Sequence, residues 1–223
     1  MVIVFVALTI LAFLAVDYVL RREERKEKDM EKSIKSPIFL SPEKALHRIG
    51  DENKRLFHLS HTWAMPSDDG YVYVGFDKFI THIYTSELQI ENMPLIGSHV
   101  PQGAQIWDLY FGPRKITQLS PVSGKVIGIN PACHINVPLQ ADKVEQSWIL
   151  KIKPDNLKTE SLQLMNYQQA KLINTALRDE FYLYAQRGSY LNDGGQFDAR
   201  FLETMSNGDW VDLVQRFFPY HKD

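Results

Sequence analysis

The stretch Ala104-Gln105-Ile106-Trp107-Asp108-Leu109-Tyr110-Phe111, then Gly112-Pro113-Arg114-Lys115, then Ile116-Thr117-Gln118-Leu119 leaves the chain few choices of local structure. Aromatic and β-branched residues favour extended backbone, and Gly-Pro supplies turn chemistry between them. The reading is a β-hairpin with its tip at 112–115. Two punctuated runs bracket it, Gly97-Ser98-His99-Val100-Pro101-Gln102-Gly103 before and Ser120-Pro121-Val122-Ser123-Gly124-Lys125-Val126 after.

Further strand signals lie upstream. Asp68-Asp69-Gly70 marks a turn ahead of Tyr71-Val72-Tyr73-Val74, and Leu88 to Met93 alternates apolar with polar, so one face is buried and the other wet. A short helix is expected over 77–84. Short strands with regular Gly/Pro punctuation argue for an antiparallel barrel-sandwich.

Gly97, Val100 and Gly103, the hairpin, Ser120-Pro121-Val122-Ser123-Gly124 with Val126 and Asn130, and Trp148-Ile149-Leu150-Lys151-Ile152-Lys153-Pro154 together resemble the H protein of the glycine cleavage system. His61-Thr62-Trp63 and Gly70 to Gly75 look like the opening strands of the same family, so the likeness runs from about His61 to Pro154. It implies a mainly β fold with α elements, a lipoyl-type barrel-sandwich hybrid. It also implies a carrier without catalytic residues: a lysine at the hairpin tip is amidated by lipoate, and the dithiolane arm takes an aminomethyl group from the decarboxylase to the aminomethyltransferase. The chain departs from the family at that lysine. Counted without gaps from Gly103 to Ser120, the position falls on Pro113. Lys115 is the nearby amine, displaced by ~7 Å along an extended chain. The family's acidic residue, three positions before the lysine, is Tyr110 or Gly112 here, depending on which register is used.

The amino-terminal run from Val2 to Leu20 is apolar apart from Thr9 and Asp17, and as a helix it reaches ~28 Å, about the thickness of a bilayer's hydrocarbon core. Arg21, Arg22, Arg25, Lys26 and Lys28 follow it, which places the amino terminus outside and the remainder on the cytoplasmic side of an inner membrane as a single-pass protein. No basic residue precedes the run and no small-x-small site follows it, which argues against a cleaved signal peptide. The mixed charges from Arg21 to Lys35 read as a solvated stalk, and Ser41-Pro42 as a helix start.

With 25 Lys and Arg against 27 Asp and Glu, the net charge of −2 offers no electrostatic footprint for nucleic acid. The single cysteine, Cys133, excludes an internal disulfide framework, and its neighbour His134 would point to the opposite face of a strand. His58-x-x-His61 has metal-ligand spacing, but no third ligand cluster accompanies it, so both read as structural and no metal is assigned.

After Pro154 the pattern turns helical. Leu162, Leu164, Met165, Ala170, Ile173, Leu177 and Phe181 form an apolar stripe, Gly188 breaks it, and two further helices are expected over 197–205 and 210–218. The domains are therefore 1–20 anchor, 21–58 stalk, 59–154 H-protein-like domain and 155–223 helical extension. The functional expectation is a non-catalytic structural or adaptor subunit of a membrane-associated complex, bound to the bilayer through residues 2–20 and carrying no lipoate. The alternative is a lipoyl carrier using Lys115. Candidate partner-docking residues are Trp107, Tyr110, Phe111 and Arg114 on the hairpin and Trp210, Phe217 and Phe218 in the tail, where packing on the chain's own domain is the competing role.

Overall fold

Two antiparallel sheets carry the fold. Strands β1 (Leu56–His58), β2 (Thr62–Pro66), β3 (Val72–Phe76), β4 (Gln89–Glu91), β5 (His99–Val100), β6 (Gln105–Phe111), β7 (Arg114–Leu119), β8 (Gly124–Ile129) and β9 (Leu150–Pro154) pair as a six-stranded sheet in the order β1-β2-β3-β9-β8-β5 and a three-stranded sheet in the order β4-β6-β7. The computed structural model describes residues 52–83, 89–130, 133, 148–188, 190–191, 197 and 201–220, all within the unit Ser41–Asp223. The expected anchor over 1–20, the stalk up to residue 51, the helix start at Ser41 and His134 lie outside the described residues. Among the described residues no helix is long and apolar enough to cross a membrane. The six-stranded sheet begins at Leu56, inside the segment read as stalk.

The two punctuated runs that bracket the hairpin are partners of each other. Gly97 donates to the Val126 carbonyl at 2.8 Å, Val126 donates to Ser98 at 2.9 Å, and His99 and Val100 pair with Lys125 and Gly124. Gly124 explains the glycine of the Ser-Pro-Val-Ser-Gly run. Its φ of +155° is accessible to few other residues, and a β-carbon there would overlap the Lys153 carbonyl oxygen on the neighbouring β9. Gly124→Ala is expected to destabilise the fold by at least the roughly 1–3 kcal/mol of backbone strain, read as a lowered denaturation midpoint. An unchanged midpoint would show that β8 and β9 do not pack as described.

One helix lies between β3 and β4 and the others follow β9. After α1 (Lys78–Ile83), α2 (Leu157–Glu160) starts at Asn156, whose side chain accepts from the Thr159 amide. The long α3 (Tyr167–Arg187) opens on a reciprocal capping box between Asn166 and Gln169 and ends at Gly188. Its inward face is Ala170, Leu177, Phe181 and Ala185, close to the 3.6-residue period. The expected stripe included Leu162 and Ile173, but Leu162 sits in a separate 3-10 turn and is 84% exposed, while Ile173 points outward on α3. Helices α4 (Phe201–Thr204) and α5 (Asn207–Phe217) complete the order.

One core joins both sheets to this tail. Phe181 of α3 is its hub, with ring centroids 5.8 Å from Phe79, 5.1 Å from Phe217, 5.8 Å from Phe201 and 5.5 Å from Phe197. A smaller cluster of Phe57, Trp63, Met65 and Ala170 fills the outer side of β1 to β3.

Candidate functional site

The hairpin is tighter than the sequence alone predicts. Phe111 pairs directly with Arg114, so the tip is only Gly112-Pro113 and β7 begins at Arg114. Gly112 has φ +58°, and proline cannot follow it with a positive φ, which leaves the turn family with glycine at the first central position. Pro113 is exposed at the apex.

Beneath the apex the two strands are tied by polar side chains. Asp108, 1% exposed, accepts from Thr117 at 2.5 Å, from Asn92 at 2.7 Å and from Gln105 at 3.2 Å. Trp107 donates its indole N–H to Gln118 at 2.5 Å, and the Gln118 amide donates in turn to the carbonyls of Ser60 and His61 at 3.1 and 3.2 Å. Lys115 projects from β7 opposite Tyr110, and its ammonium is 4.0 Å from the Asp108 carboxylate. With its side chain 44% exposed, Lys115 gains little from that contact.

The tail closes on one flank of the hairpin. The Glu203 side chain of α4 lies where a side chain on Gly112 would go, and Arg114 donates through Nη2 to the Met205 carbonyl at 2.9 Å. Trp210 of α5 packs 6.3 Å from the Phe111 ring and 5.6 Å from the Arg114 guanidinium. Farther along, His61 joins the barrel to the end of α5. Its Nδ1 is 3.1 Å from Asp77 and its Nε2 is 3.0 Å from the Phe217 carbonyl. Asp77 also accepts from Asn174 of α3 and from the amides of Phe79 and Ile80. Both His61 neighbours are acceptors, and a neutral imidazole has one N–H, so only the protonated ring donates to both. Burial by itself would lower the pKa of His61, but the Asp77 charge and the hydrogen bonds to Asp77 and the Phe217 carbonyl outweigh it and raise the value.

Several docking candidates are corrected by this packing. Trp107 is 0% exposed, Phe111 3%, Phe217 1% and Phe218 4%, so these side chains are consumed by the chain's own core and present no surface to a partner. Tyr110, Arg114 and Trp210 remain half-buried at the hairpin flank. Of the two histidines with metal-like spacing, His58 is 2.7 Å from the Ser60 hydroxyl and His61 is bound as described, so the pair works in packing. The Cys133 thiol is buried and its pKa is pushed up to about 12 by desolvation, which makes it unreactive. Asp77, Asp108 and Gln118 were not singled out from sequence. An acidic or amide residue inside an apolar strand is the one available signal, and it marks Asp108 and Gln118 after the fact.

The family described as Glycine cleavage H-protein matches residues 55–176. This chain belongs to the glycine cleavage H-protein family. A protein of Thermococcus kodakarensis named "Probable glycine cleavage system H protein" is 32% identical over 108 residues, covering 48% of this chain and 80% of the relative. Its counterpart in Thermococcus gammatolerans is 31% identical over 106 residues, covering 48% of this chain and 78% of the relative. A crystal structure of a glycine cleavage system H protein from Mycobacterium marinum is similar with a TM-score of 0.46 at 18% identity, over 55% of this chain and 98% of that one. Helices α4 and α5, which flank the hairpin, lie beyond the matched residues.

The H-protein family implies a lipoyl group at the hairpin apex. Attachment through an amide needs a primary amine, and the Pro113 ring nitrogen is already a tertiary amide of the backbone. The apex residues do not fit the group. Lys115 has the amine but sits within β7, paired across the strand with Tyr110.

Proposed function

We propose that this chain is a non-catalytic, H-protein-type subunit that presents a β-hairpin within a glycine cleavage-type assembly. Family membership supports that much. Two versions differ in whether the hairpin bears an arm.

Kinship favours the carrier, because the relatives are named glycine cleavage system H proteins and Lys115 is an exposed amine on the right hairpin. Hairpin geometry favours an arm-less adaptor. The observation that carries this second version is Pro113 at the apex, in a two-residue turn whose flank is held by Glu203, Met205 and Trp210. A modifying enzyme must enclose the tip, and here the chain's own tail takes up one side of it. We adopt the arm-less adaptor on that geometry. The apolar run from residue 2 to 20 would tether it to a membrane, which raises its local concentration beside membrane-bound partners.

Intact mass of the chain purified from its own host decides between the versions. The expected result is the sequence mass, allowing for initiator-methionine processing, with the protein in the membrane fraction and released by detergent. A lipoyl increment that disappears in Lys115→Ala would overturn the adaptor in favour of the carrier. Recovery from the soluble fraction would remove the tether.

A further inference from the structure

Between α1 and α3 the surface opens into a cleft of about 520 Å³, within the range of small-molecule sites. It shares no residue with the hairpin. We propose that this cleft binds a small organic anion that combines an apolar body with a carboxylate or phosphate head.

The lining divides by chemistry. The half-buried Tyr167 ring supplies the accessible aromatic surface and stands against the buried Phe57 at 6.4 Å between centroids, with Phe79 and Ala170 buried behind them. Tyr167 offers a face for a ring or short acyl chain. Around these side chains stand four cations, Arg55, Lys78, Lys171 and Arg178, against one carboxylate, Asp77. Asp77 is already committed to His61, Asn174 and two backbone amides. Arg178 is partly balanced by Asp179 at 3.4 Å, outside the lining.

The concentration of positive charge is local. The whole chain carries a net charge of −2, so four cations around one cleft do not reflect a generally basic surface. His82 on the α1 side also lines the cleft, and its pKa is lowered first by burial and then by the Arg178 charge, with Asp179 opposing. Arg55, also in the lining, is buried with its guanidinium 4.4 Å over the Trp63 ring. A bare inorganic anion would leave the Tyr167 ring wet, and a neutral aromatic would ignore the cations. The ligand must satisfy both.

Calorimetric titration of the full-length protein with phenyl phosphate and with phenylacetate tests this, with inorganic phosphate and benzyl alcohol as the single-feature controls. One saturable site is expected for at least one of the two aromatic anions, with at least tenfold weaker binding of both controls. The double change Lys171→Glu with Arg178→Glu is expected to weaken it at least tenfold, whereas Lys125→Glu, exposed on β8 and outside the cleft, is expected to leave it unchanged. Circular dichroism establishes that the double variant is folded; if it is not, Lys78→Glu replaces it. Failure of both aromatic anions to bind, binding that survives charge reversal, or controls that bind equally well would each overturn the proposal.

Discussion

Trp107→Ala is expected to lower the unfolding free energy by about 3–5 kcal/mol, the range for emptying a buried aromatic site. The indole is wholly inaccessible in the core, and its N–H satisfies the Gln118 side-chain oxygen at 2.5 Å. Its removal leaves both a cavity and a buried acceptor without that donor. Because Gln118 also holds the Ser60 and His61 carbonyls, the loss should spread from the hairpin to the β1–β2 turn. Denaturant unfolding followed by far-ultraviolet circular dichroism measures it. Trp210→Ala, which strips a half-buried ring from the hairpin flank, should cost distinctly less. If Trp107→Ala cost less than Trp210→Ala, the assignment of Trp107 to the core would be wrong and its role as a docking residue would return.

The second large effect centres on His61. His61→Ala is expected to cost about 3–5 kcal/mol below pH 6.5, as for a buried pair broken from one side, because Asp77 then stays buried without its cationic partner. The sign of the pH dependence follows from the raised folded-state pKa. The His61 contribution is fully present below its ordinary value of 6.5 and is lost as pH rises through the higher folded value. His58 acts oppositely: burial first, and then the charge of His61, lower its pKa, so its penalty grows as pH falls below 6.5. His82, lowered by burial and by Arg178, adds to that side. The difference in melting temperature between wild type and His61→Ala isolates the His61 part, and it should shrink on raising the pH from 6 to the alkaline side. Proteolysis of the tail should quicken over the same interval, since the Phe217 carbonyl loses its imidazole donor. A pH-independent difference would show that the His61 pKa is the same folded and unfolded, and a difference that grows as pH rises would show that the buried ring is neutral.

What could be read from the residues alone is what local backbone chemistry dictates. The hairpin followed from strand-forming residues around Gly112-Pro113. The Ser-Pro-Val-Ser-Gly run and the Trp-Ile-Leu-Lys-Ile-Lys-Pro strand carried the family. Gly188 marks the end of α3, where a β-carbon would collide with the Tyr190 ring. Even at the hairpin the residues alone predict too wide a tip, because strand pairing that continues to Phe111 and Arg114 depends on turn geometry, which the extended propensity of Ile116 onward does not report. Pro113 at the carrier position was legible, since it needs only a count along the chain.

Only the tertiary structure decided which aromatics face inward. Along β6 nearly every side chain is buried, since the hairpin is covered on both faces, so the alternation that separates an inner from an outer row is absent. Trp107 and Phe111 therefore look like docking residues in sequence and turn out to be core, while Phe217 and Phe218 were placed only when the tail folded back onto Phe79 and His61. The His61–Asp77 pair, the Arg114–Met205 contact and the cationic cleft join residues far apart in the chain. No propensity or spacing encodes such meetings, because they arise from packing two sheets and a helical tail around one core, where burial makes each polar partner obligatory.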